Sequence, residues 1–285
     1  FHRIQYKLSI LYQGEYYIPG INLPWHYAPV MLIITTPLIV LGVFLVGTVS
    51  VPFISSLPVE EKEKIRLKNC YLFSFIWIVI GILPFMLPGQ RVYGGIRHFL
   101  FILPAVCAVA GLGLNWLVYY LQKSRIKRFA LLIPVIIFTL LILSNSFYHP
   151  YYTVYYNALV GGARRVYGKY PLEQWGNAYK PACRWLNKNA AVGARVLALP
   201  LTEIPRFYLR DDIIVLDKEH AGLYPPRYDY SLYFIRSRDP LVLRDKEPVY
   251  SISVKGQPIV NVHQWTENIP APGRLPASMA GREND

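Results

Sequence analysis

Four uncharged blocks dominate the first half of this chain. Residues 25–53, 69–88, 99–121 and 129–147 contain no Asp, Glu, Lys or Arg. A helix rises 1.5 Å per residue, so about 20 residues cross the roughly 30 Å of hydrocarbon in a bilayer. Each block is long enough to do so. The pattern predicts a multi-pass α-helical membrane protein with four transmembrane helices, followed by a small α/β extracytoplasmic domain.

Charge between the blocks sets an orientation. Lys62, Lys64, Arg66 and Lys68 lie between the first two blocks, and Lys123, Arg125, Lys127 and Arg128 between the last two. The intervening stretch 89–98 holds only Arg91 and Arg97. Basic residues gather in cytoplasmic loops. The expectation is therefore a plasma or inner membrane protein with residues 148–285 on the extracytoplasmic side. The net charge of +13 then reflects loops facing anionic lipid. It is dispersed, without a basic stripe or a binding motif, and nucleic acid is excluded as a partner. The chain starts at Phe1 with no signal-like segment, so residues 1–24 read as the end of an earlier external element.

Beyond the blocks the organisation changes. Tyr148, Tyr151, Tyr152, Tyr155 and Tyr156 recur at helical spacing, which predicts an interfacial helix to about residue 159 within a linker over 148–173. Packing against the outer domain is the plainer reading of the same tyrosines. Residues 174–264 read as the α/β domain. A helix is expected over 179–189 and another over 203–209. Strands are expected at 195–199, 213–216 and 230–235, with a hairpin of 249–254 and 258–263. The Pro-, Ala- and Gly-rich tail 265–285 reads as disordered. Cys70, Cys107 and Cys183 have no metal-ligand spacing, and Cys183 stands alone in the outer domain. No cofactor motif is identifiable, and the spacing leaves a divalent-metal requirement open.

Three stretches carry a family resemblance. The first is Gly14-Glu15, then Leu23-Pro24-Trp25-His26-Tyr27-Ala28-Pro29, then Thr35-Thr36-Pro37. The second is Gly95-Ile96-Arg97-His98-Phe99-Leu100-Phe101. The third is Tyr155-Tyr156-Asn157-Ala158-Leu159-Val160-Gly161-Gly162, followed by Glu173-Gln174-Trp175-Gly176 and Trp185-Leu186-Asn187. In this order, over about residues 10–264, they resemble the membrane glycosyltransferases of the GT-C type, family 39. That family includes the protein O-mannosyltransferases and aminoarabinose transferases. His26 stands where the family usually has an aromatic residue. The resemblance implies transfer of a sugar from a polyprenyl-phosphate carrier to a lipid, protein or polysaccharide acceptor on the outer membrane face. It also implies that the carboxylate base lies in an external loop upstream of this chain, so no catalytic residue is named.

A lipid-phosphate donor is an anion anchored in the membrane, and it needs cations at the outer interface. Arg97, Arg91 and His98 are the candidates, since the guanidinium fork matches phosphate oxygens. A headgroup contact at a helix end is the plainer role for Arg97. Trp25, His26, Tyr27 and Glu15 are candidates for a sugar or acceptor groove. Alternatively the aromatics form an interfacial belt and Glu15 is solvated. The acids Asp211, Asp212, Asp217 and Glu219 read as solvated loop residues. Two other functions fit the composition: a non-catalytic membrane protein whose outer domain binds a partner, and a transporter of a lipid-linked sugar. The lack of ionisable residues inside the four blocks weighs against transport.

Overall fold

A computed structural model of the chain describes residues 9–90, 92, 94–125, 127–173, 175–217, 228–235 and 247–265. The chain forms two compact units that meet between Pro171 and Leu172. Residues 218–227 and the tail from 266, and with them Glu219, lie outside the described residues.

The first unit opens with a hairpin, β1 (Ile10–Tyr12) and β2 (Glu15–Tyr17), paired antiparallel. Its turn residues Gln13 and Gly14 have φ of 54° and 92°. Two positive φ values give the turn whose twist matches that of the strands. Helices α1 (Tyr27–Thr35), α2 (Leu38–Ser50), α3 (Glu61–Ile82), α4 (Leu103–Gln122) and α5 (Leu132–Ser146) follow. Short 3₁₀ segments at Val51–Ser56, Leu83–Met86 and Arg97–Ile102 extend α2, α3 and α4. Four of the resulting helices are long and apolar enough to cross a membrane. Their outer faces carry exposed Leu45, Phe73, Ile80, Phe138 and Ile142. A soluble surface does not carry so many large apolar side chains in contiguous bands.

The first expected span is not one helix. It breaks at Thr36-Pro37 into α1 and α2, because Pro37 has no N–H to donate and its ring crowds the preceding turn. Several carbonyls around the break find donors. Thr35 Oγ1 donates to Met31 O and Thr36 Oγ1 to Leu32 O, each at 2.6 Å. Asn157, 121 residues downstream of Thr36, supplies three more donors. Its backbone N–H donates to Ile34 O at 2.8 Å, and its Nδ2 donates to Ile33 O at 2.7 Å and Thr36 O at 2.8 Å. Replacing Asn157 with Leu leaves the Thr36 carbonyl without this donor in a buried site, at about 1–3 kcal/mol per lost bond. We expect the variant, in detergent, to unfold at a clearly lower temperature than the wild type. An unchanged midpoint would show that the break does not depend on Asn157.

The basic residues after the first span also sit differently. Lys62, Lys64, Arg66 and Lys68 form the first turns of α3 rather than a loop. Glu60–Glu63 open that helix, where its positive dipole end favours acids, and Lys64 pairs with Glu61 at 2.7 Å. The expected interfacial helix over the tyrosines does not form. Pro150 interrupts the period, and the chain instead makes a 3₁₀ turn at Tyr152–Val154 and is extended at Tyr155. The tyrosines therefore do not share one face. Tyr156 is buried and its hydroxyl donates to Pro171 O at 2.8 Å, whereas Tyr152 is exposed.

The second unit is a five-stranded mixed sheet with helices. Strands β3 (Arg195–Leu199), β4 (Ile214–Leu216), β5 (Tyr230–Phe234), β6 (Tyr250–Val254) and β7 (Gln257–Gln264) take the order β4-β3-β5-β7-β6. β3 pairs parallel with β4 and β5, while β7 runs antiparallel to β5 and β6. Consecutive residues Val196, Leu197 and Ala198 are all buried, as a strand covered on both faces requires. Helix α7 (Tyr179–Asn189) lays Trp185 flat on Tyr250, with ring centroids 5.2 Å apart. A short α6 (Gly162–Val166) precedes it in the first unit, and α8 (Glu203–Tyr208) follows β3. Asp212 is not simply solvated: Arg210 Nε donates to it at 2.8 Å while the same guanidinium reaches Ala190 O at 3.2 Å near the end of α7. The Arg210 hydrogen bond holds the Asp212 carboxyl down at about 2. Burial pushes the Cys183 thiol up to about 12, so it packs as a small apolar group rather than acting as a nucleophile.

Candidate functional site

Tyr27 is the residue through which two of the resembling stretches meet. It opens α1, and its hydroxyl accepts a hydrogen bond from Gly95 N at 3.1 Å. Its ring lies 6.4 Å from Phe99. The residues flanked by these two contacts are Ile96, Arg97 and His98. Gly95 has a φ of 83°, a left-handed turn that glycine adopts without strain. The chain then enters the 3₁₀ segment on which Arg97 is exposed and His98 half-buried.

An aromatic cluster fixes this end of the unit. The Tyr12 ring lies 5.1 Å from Tyr27, 5.7 Å from His26 and 5.8 Å from Tyr170. Tyr170 lies 5.7 Å from Tyr156, the neighbour of Asn157. Tyr12 meets Tyr27 and Tyr170 edge-on, and such packing adds about 0.5–1.5 kcal/mol per pair beyond the area it buries. Burial pushes the phenols of Tyr12, Tyr156 and Tyr170 above their usual range, so all three stay neutral. Gly14 N donates to Lys169 O at 3.0 Å, tying the hairpin turn to the same segment.

An apolar groove of about 470 Å³ lies near His98, whose ring is 6.3 Å from the groove residue Phe85. Its walls are α3 and the two 3₁₀ segments, with Trp77, Ile80, Phe85 and Phe101 among its lining. Phe85 links groove and turn: its ring is 6.3 Å from His98 and 4.9 Å from Phe99. Gly81 allows the walls to approach, since a Cβ there would lie 2.9 Å from Ile102 Cγ1. An arginine, a histidine and an apolar trough thus share one end of the helical unit.

The other sequence candidates divide. Tyr27 is only 1% exposed, so it positions the 95–98 turn rather than offering a face to a sugar. His26 is half-buried between Tyr12 and Trp25, and Trp25 and Glu15 are exposed. Arg91 lies outside the described residues. Among the described residues, no three His, Cys, Asp or Glu side chains are placed to hold a metal ion. The sequence reading missed Tyr12, Phe85 and Asn157. A proline break that frees carbonyls, together with an Asn inside a tyrosine-rich stretch, is the signal that points to Asn157.

No family model, no curated protein and no solved structure matches the chain.

Proposed function

We propose that the chain is part of a multi-pass membrane glycosyltransferase that moves a sugar from a polyprenyl-phosphate carrier to an acceptor on the outer membrane face. The observation that carries this reading is the approach of His98, the sequence neighbour of the exposed Arg97, to within 6.3 Å of Phe85 in the groove lining. A carrier lipid has an anionic head and an apolar tail, and this end of the unit offers a complement to each. The tail lies in the groove, held by burial at about 25 cal/mol per Å² of apolar surface. The phosphate meets the Arg97 fork, with His98 adjoining.

In this account the acceptor oxygen attacks the anomeric carbon as the bond to the phosphate oxygen breaks, inverting that centre. Negative charge grows on the departing lipid phosphate, and Arg97 stabilises it there more than in the bound donor. We assign no residue of this chain as the base that takes the acceptor proton. The basic clusters at the start of α3 and between α4 and α5 support a cytoplasmic placement of those ends, and with it an outer placement of Arg97 at the opposite ends of α3 and α4.

The test is turnover. Purified full-length protein in nanodiscs is given polyprenyl phosphates carrying radiolabelled hexose, pentose or aminopentose, with a membrane extract as acceptor. The reading expects label to move from at least one carrier into the acceptor, with release of polyprenyl phosphate. A protein that leaves every carrier intact contradicts it.

A further inference from the structure

The sheet domain carries a concave cleft of about 410 Å³ that the transfer reading does not use. Its volume lies within the 300–1,000 Å³ typical of small-molecule sites. It opens between the turn at 175–177, the start of α7 and the body of α8. Trp175, Asn177, Lys180, Glu203, Phe207 and Tyr208 face it. Trp175 is 41% exposed and Phe207 79%. Two large aromatic rings on one small concave surface leave apolar area in water that a bound partner would cover.

The cleft is held in shape by groups that contribute little else. Glu173 is fully buried, and its Oε1 accepts hydrogen bonds from Trp175 N at 2.7 Å and Gly176 N at 3.1 Å. A buried carboxylate is costly unless its hydrogen bonds are made, and here they fix the turn that presents Trp175. Gly176 has a φ of 71°, and a Cβ there would lie 2.9 Å from Ile204 Cδ1 and 3.0 Å from Tyr179 Cδ2. The turn therefore lies against α7 and α8 only because residue 176 has no side chain. On the far wall Asn187 Nδ2 donates to Tyr208 O at 2.9 Å, and Lys180 Nζ stands 5.5 Å from the centre of the Tyr208 ring.

The lining chemistry narrows the occupant. Ring faces accept the apolar C–H face of a pyranose. Asn177 and Lys180 donate hydrogen bonds, and Asn177 and Glu203 accept them. One cation and one anion offset each other, so the cleft does not select a phosphate or a polyanion. Three polar side chains around the rings do not suit a purely apolar peptide. We propose that this cleft binds a saccharide, with its ring face against Trp175 and Phe207 and its hydroxyls bonded to Asn177, Lys180 and Glu203. The proposal stands whether or not the helical unit transfers a sugar.

The test uses the whole chain in nanodiscs, free of sugar-based detergent, with maltotriose, mannotriose and triacetylchitotriose as probes. Saturation-transfer NMR reads binding directly. We expect transfer to the ring protons of at least one trisaccharide, reduced at least fivefold by Trp175→Ala and by Phe207→Ala. Phe207 is too exposed for its removal to unfold the domain, so a loss in that variant reports the cleft. Absence of transfer from all three probes overturns the proposal, as does transfer that both variants leave unchanged. Brominated phospholipid provides a second arm: if Phe207→Trp adds fluorescence that this lipid quenches, the rings belong to the bilayer and the proposal falls.

Discussion

If the chain transfers a sugar as proposed, Arg97→Ala should lower that transfer by at least about 100-fold while the protein stays folded and inserted. Removing one preorganised donor from a developing anion costs about 10²–10³ in rate, and Arg97 is an exposed guanidinium next in sequence to His98, whose ring lies 6.3 Å from Phe85 in the groove lining. Because the side chain is exposed, its loss leaves no cavity, and the unfolding temperature should not move. Arg97→Lys restores part of the rate, since charge returns but the planar fork does not. The comparison is made on kcat and KM at saturating carrier. A loss confined to KM would make Arg97 a headgroup contact that binds ground and transition states alike. Full activity in Arg97→Ala would remove it from the site.

Gly113→Leu should prevent the helical unit from assembling at all. α2 and α4 cross with their backbones in contact, and glycine stands on both sides of the crossing. A Cβ at Gly113 would run into Val43 O and come within 2.8 Å of Gly47 Cα, and one at Gly47 would run into Val109 O. Backbone atoms cannot swing aside as a side-chain tip can. Overpacking of this kind costs about 1–3 kcal/mol where side chains relax, and more where they cannot. Small residues at such crossings are what allow close helix contact inside a bilayer. Gly111, two residues away on α4, has nothing within 4 Å of its Cβ position. Gly111→Leu is the control and should be close to neutral. The readout is the yield of monodisperse protein on size exclusion: near zero for the first variant and near wild type for the second. Equal yields would mean that the α2–α4 crossing does not hold the unit together.

Much of this fold is legible in the sequence because its signals are local. The four uncharged blocks become helices since their length and apolarity speak for themselves. The strands of the sheet domain follow from alternation and turn chemistry. The hairpin reading places Gly256 in a connection of residues 255–257; the chain turns there in two residues, Lys255 and Gly256, with φ values of 52° and 76°, and Gln257 already pairs with Val254. The failures have a common cause. At Thr36-Pro37 a hydrophobic run hides a break that depends on a residue 121 positions away. At Tyr148–Tyr156 a helical period is real in the spacing, but Pro150 and the demand for Asn157 at the break override it. Local pattern does not encode such tertiary hydrogen bonds.

The candidate site was half visible. Arg97 and His98 stand out as polar residues at the edge of an uncharged block. Phe85 does not, because one more phenylalanine in an apolar run carries no distinguishing mark until α3 and the 97–102 segment pack together. Tyr27 was legible as an aromatic at a helix start, but its hydrogen bond to Gly95 N changes its part from contact to positioning.

A photoreactive polyprenyl phosphate tests the donor site most directly. The probe carries a diazirine in its first isoprenoid units and is crosslinked to the protein in nanodiscs, and the labelled peptides are read by mass spectrometry. The account predicts label concentrated in residues 73–101, around Trp77, Phe85 and Phe101. It also predicts that Arg97→Ala and an excess of unlabelled polyprenyl phosphate both reduce that label. Label spread evenly over the exposed faces of α2 and α5, and insensitive to both treatments, would mean that the groove is ordinary lipid-facing surface and that no carrier binds at this end of the chain.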